Sequence, residues 1–137
     1  MDDETAILLA IETLRSNPAY HAAEVLRRQT PGGAGAMAAM SEGSAQRGAV
    51  LLLIGTWESI AVLMDGLKKR DKIFEVTPVC HMWKELEAAV KILRQYFAAY
   101  AEHFEDLYEA YQAWLKKKKK DAKYITAACG GIYARFG

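Results

Sequence analysis

Apolar positions recur every three or four residues along most of this chain, and nowhere do they alternate in the two-residue period of a strand. Ile7, Leu8, Ile11 and Leu14 share one face of a first helix, which Asp2 or Asp3 can cap and which "SNP" stops after Arg15. Asn17 and Pro18 then form an N-cap and first-position pair for a second helix, "PAYHAAEVLRRQ", ended by "TPGG". So short a connection predicts an antiparallel pair. Residues 30–48 hold five of the ten glycines and predict a flexible loop, although "AMAAM" can form one helical turn. A third helix is predicted over Ala45 to Leu67, with Val50, Ile54, Trp57, Ala61 and Met64 on its apolar stripe. Gly48, Gly55 and Ser59 lie along another strip, where a neighbouring helix could come close. "DGLKKRDK" reads as a turn, and Asp71 is a candidate cap for the short helix "KIFEVT".

Beyond Pro78 the pattern becomes regular. Trp83, Leu86, Val90, Leu93, Phe97, Tyr100, Phe104, Leu107, Tyr111 and Trp114 follow one another at alternating steps of three and four, a heptad seam with no glycine or proline inside it. It predicts either one long helix or two helices whose break preserves the phase. Its weight of aromatic residues suits a helix packed on its own bundle better than a dedicated coiled coil. A continuous helix would overhang so small a domain and make a homodimer attractive.

These elements predict an all-α fold, a single-domain helical bundle of five or six helices with a long C-terminal helix, spanning residues 1–137. At 137 residues the chain can bury one core and not two. Cys80 and Cys129 are too few for a disulfide framework, read best as small buried hydrophobes and fit a reducing compartment. The N-terminus is acidic before its apolar part, the reverse of a signal peptide. A cytoplasmic location is the expectation. The apolar run from Gly48 to Trp57 is about half the roughly 20 residues of a membrane span.

Eighteen basic residues nearly cancel seventeen acidic ones, so any charged partner must be met locally, and a DNA mimic is disfavoured. Two basic clusters stand out. One is Lys68, Lys69, Arg70 and Lys72; the other is Lys116, Lys117, Lys118, Lys119 and Lys120, in a lysine-rich helix end over residues 116–123. Five consecutive lysines surround a helix completely, so that turn has no face to bury. Glu102, Glu105, Asp106 and Glu109 lie ahead of it, an order the helix dipole favours. The clusters could also contact a polyanion, without base recognition. The tail, residues 124–137, is apolar again, but Gly130 and Gly131 weaken it as a helix.

Catalytic chemistry finds little to work with. Cys80 and His81 are adjacent and so point about 100° apart on a helix, which makes no dyad. His21, His81 and His103 lack the Glu-x-x-His pairing of metal sites in bundles, and no phosphate-binding glycine motif occurs. No catalytic residue, metal ligand or cofactor is assigned. Glu58, at the edge of the most apolar stripe, is a candidate buried polar site and needs a partner, for which Arg94 is the candidate.

The segments "LRSNPAYHAAEVL", "VLLLIGTWESIAVLMDGL", "IFEVTPVCHMWKELEAAVKILRQ" and, more loosely, "YAEHFEDLYEAYQAWL" resemble domain-of-unknown-function family 4760, a bacterial helical family, over roughly residues 9 to 115. The resemblance matches Glu58 to an acidic residue of the family's core helix, Gly66-Leu67 to its turn and Trp83 to the tryptophan opening the next helix. Two departures stand out. Many members carry an N-terminal membrane anchor that this chain lacks, and many place glycine or proline where this chain has "RQYFAAYAEHF", which favours a longer helix. The family has no established activity, so the resemblance implies a fold and no reaction.

The resulting expectation is a non-enzymatic interaction or regulatory protein working through an unidentified protein partner. The alternative is an adaptor that uses its lysines on nucleic acid or an anionic membrane surface. An enzyme built on Glu58 and His81 comes third.

Overall fold

A computed structural model describes residues 1–118; Lys119 and Lys120 and the predicted apolar tail lie outside them. The described residues form seven helices and no strand: α1 (Asp3–Arg15), α2 (Pro18–Gln29), α3 (Gly33–Ala38), α4 (Ala45–Met64), α5 (Asp71–Val76), α6 (Val79–Leu93) and α7 (Glu102–Lys118). The protein is an all-α bundle.

The helix starts follow local chemistry. Asp2 Oδ1 accepts the Thr5 N–H at 2.7 Å, Asn17 Oδ1 that of Ala19 at 2.8 Å, and Ser44 Oγ that of Arg47 at 3.1 Å. Each satisfies a donor the first turn cannot pair internally.

α4 runs through the centre, with α1, α2, α3, α6 and α7 packed on it. Its Val50, Leu53, Ile54, Trp57, Ile60, Ala61 and Met64 stripe is buried. At 20 residues, with an 18-residue stretch of mean hydropathy 1.5, the helix has the length and composition to cross a membrane, more than its apolar run alone implies. Among the described residues its second strip meets no neighbour: a Cβ added at Gly48 or Gly55 would meet nothing within 4 Å, and Leu51, Leu52 and Val62 beside them are exposed.

One expectation is corrected, and one left open is decided. Part of the glycine-rich stretch is not a loop but α3, whose Ala34, Met37 and Ala38 belong to the core. Gly35 serves close approach: a Cβ there would sit 3.2 Å from Ala88 Cβ on α6. This seventh helix is the one missing from the predicted five or six.

The seam is not one helix. It breaks over residues 94–101, between α6 and α7, where Ala101 takes a φ of 62°. Phe97, read as a core position, is 64% exposed. The long C-terminal helix is therefore divided, and the described part of α7 has 17 residues. The remaining seam residues face the bundle's own interior. Trp83 meets Phe104 edge-on at 5.1 Å and stacks on Tyr108 at 5.6 Å, while Phe104 stacks on Trp57 at 5.7 Å. Tyr111 meets Phe74 edge-on at 5.5 Å, and Tyr100 is half-buried. The overhang that made a homodimer attractive is absent among the described residues.

Candidate functional site

Asp71 opens α5 and does not cap it; the N-cap position is Arg70, without a side-chain bond to the helix. The carboxylate reaches across to α7 instead. Its Oδ1 accepts the Trp114 indole N–H at 2.7 Å and stands 3.2 Å from Lys118 Nζ. The Trp114 bond, followed by the contact with Lys118, holds the Asp71 carboxyl below the usual aspartate range. Lys118 also lies over the Trp114 ring, 5.8 Å from its centre.

This strut brings two basic segments together that the sequence separates by more than 40 residues. Lys68 and Arg70 from the α4–α5 connection and Lys117 and Lys118 from the end of α7 line one cleft of about 450 Å³. Phe74, Trp114, Ala110 and Ala113 form its apolar walls, and Asp71 is the single acid among the lining residues. The Arg70 guanidinium lies 5.5 Å over the Phe74 ring. A cleft of this kind suits an anion carried on an apolar or planar body.

The other lysines singled out in sequence do not join it. Lys69 lines a different hollow with Asp2, Asp3 and Glu4, and Lys72 turns to α1, its Nζ 3.9 Å from Asp2 and its backbone N–H donating to Glu4 Oε2 at 2.8 Å. Lys116 is exposed and lines none of these hollows.

The pairing of Glu58 with Arg94 is also corrected. Glu58 Oε1 accepts the Phe104 N–H at 2.8 Å, and Oε2 accepts that of His103 at 3.3 Å while facing His103 Nδ1 at 2.8 Å. Glu58 thus does at the start of α7 what a capping side chain does, from another helix. The hydrogen bond to Glu58, then its charge, raises the His103 pKa above the ordinary histidine value. Arg94 binds the connection after α6, donating Nε–H to the Tyr100 carbonyl at 2.8 Å, with Nη2 2.8 Å from Glu105.

Sequence reasoning missed a buried polar chain. The Trp57 indole donates to Tyr20 OH at 2.9 Å, Tyr20 donates to Glu24 Oε1 at 2.9 Å, and Arg27 bridges Glu24 at 2.8 Å and Glu85 at 3.0 Å. Burial, followed by the Glu24 charge, drives the Tyr20 pKa far up. The available signal was the inner face of the second helix, where Tyr20, Glu24 and Arg27 stand at apolar spacing. His81 lies near this chain, and burial lowers its pKa. Glu58 and His81 line none of the hollows described. Cys80 is wholly buried, and Cys129 lies outside the described residues. Among the described residues no three His, Cys, Asp or Glu side chains converge to hold a metal.

No family model, curated protein or solved structure matches the chain, so the cleft is interpreted from its own residues.

Proposed function

We propose that this protein is a non-enzymatic interaction or regulatory domain that docks an acidic segment of a partner protein in the cleft between α5 and α7. The observation behind this reading is the convergence of Lys68 and Arg70 with Lys117 and Lys118 around one aromatic-walled hollow. Charge alone would also suit nucleic acid or an anionic membrane surface. Affinity for those surfaces grows with the number of phosphates met along a track. Here the basic area is short, and Glu102, Glu105, Asp106 and Glu109 precede it on the same helix. A compact acidic feature fits that boundary better.

The test is fluorescence anisotropy across a salt series with an oligoglutamate peptide, a DNA strand of equal charge and anionic vesicles. Salt-sensitive peptide binding, lost in a Lys68→Gln, Arg70→Gln, Lys117→Gln variant, is the expected result. Tighter binding of DNA or vesicles, lost in the same variant, would replace this reading with the adaptor.

A further inference from the structure

The basic cleft does not end at Arg70. Arg70 and Ala110 also line a second hollow of about 230 Å³, which adds two carboxylates to that arginine: Asp65 after the end of α4 and Asp106 from α7. Both carboxylates are exposed, and neither forms an ion pair among the described residues. His103 at the rim is turned to Glu58, 2.8 Å away. The two hollows adjoin at Arg70 and Ala110, which line both, and together they make a groove that is basic at the Lys117 end and carries its carboxylates at the Asp106 end.

We infer that this groove takes an extended partner segment carrying acidic and basic residues about five positions apart. The spacing follows from the helix. Asp106 and Lys117 are eleven residues apart on α7, which at 1.5 Å per residue is about 16 Å. An extended chain at about 3.3 Å per residue covers that distance in about five residues. Charge complementarity selects the occupant: a uniformly acidic chain, such as nucleic acid, would meet Asp65 and Asp106 with like charge. The inference rests on the proposed docking of an acidic segment and adds the requirement for a basic group at fixed distance.

The test compares three labelled peptides on the full chain: one acidic only, one with a glutamate pair and a lysine pair five positions apart, and one with those pairs adjacent. The spaced peptide binds roughly two- to fivefold more tightly than either of the others. Asp65→Asn with Asp106→Asn removes that advantage and leaves or strengthens binding of the acidic peptide. Equal binding of all three would overturn the inference while leaving the proposed function standing. Binding of none would overturn both, as would DNA of matched charge binding more tightly than every peptide. Self-association that is lost in the same variants, without peptide binding, would assign the groove to a second copy and overturn it too.

Discussion

Glu58 on α4 caps a helix that begins more than 40 residues later, its Oε1 accepting the Phe104 N–H at 2.8 Å. The residue before α7, where a capping side chain would stand, is Ala101, which has none to offer. Glu58 replaces it from across the bundle. Glu58→Ala should therefore lower stability by about 1–2 kcal/mol, the range for a lost cap. Glu58→Gln, which keeps an acceptor oxygen, should lose about half as much. Urea denaturation measures both; a variant indistinguishable from wild type would remove the cap from the account.

The same carboxylate makes the start of α7 sensitive to pH. His103 has a raised pKa in the folded chain because Glu58 binds its protonated form. The stabilisation is therefore fully present below the unfolded histidine value of about 6.5 and disappears as pH rises through the higher folded value. His103 is exposed, so the effect is small. NMR titration should place the His103 pKa above the ordinary histidine value of about 6.5, and Glu58→Gln should bring it down. An unchanged value in the variant would exclude the carboxylate as the cause.

Arg27 holds two carboxylates, Glu24 and Glu85, while being itself almost wholly buried. Arg27→Met should cost about 3–5 kcal/mol, because it leaves Glu24 charged and buried without its counter-ion. The double variant Arg27→Met, Glu24→Leu should recover most of that loss, since a buried ion pair replaced by packed apolar groups is often near neutral. Thermal unfolding of both variants provides the check. A double variant as unstable as the single one would mean that the network contributes more than mutual charge compensation.

Much of the fold was legible because its signals are local. The caps at Asp2 and Asn17 and the apolar stripe of α4 depend on neighbours a turn or two away, and they stand as the spacing predicts. The division between α6 and α7 was not legible for a geometric reason. Leu93 and Phe104, buried on either side, are eleven residues apart, which is just over three whole turns. A chain that leaves a helix and re-enters it after that interval keeps its heptad phase, so periodicity alone cannot reveal the break. The cleft was half legible. Its cations stood out as two clusters, but which lysines met depended on the tertiary strut from Asp71 to Trp114 and Lys118.

Ala101 offers a direct test of that break. With φ at 62° it occupies the left-handed region, where a non-glycine residue is strained by about 1–2 kcal/mol. Ala101→Gly relieves that strain but frees the unfolded chain and removes a buried methyl, together about the same amount. Its stability should stay within about 0.5 kcal/mol of wild type. Ala101→Val adds branching where the backbone least tolerates it and should cost more than about 2 kcal/mol. In a continuous helix the order reverses: glycine would cost about 1 kcal/mol and valine less. Equilibrium unfolding of the two variants therefore distinguishes two helices from one by the sign of their difference.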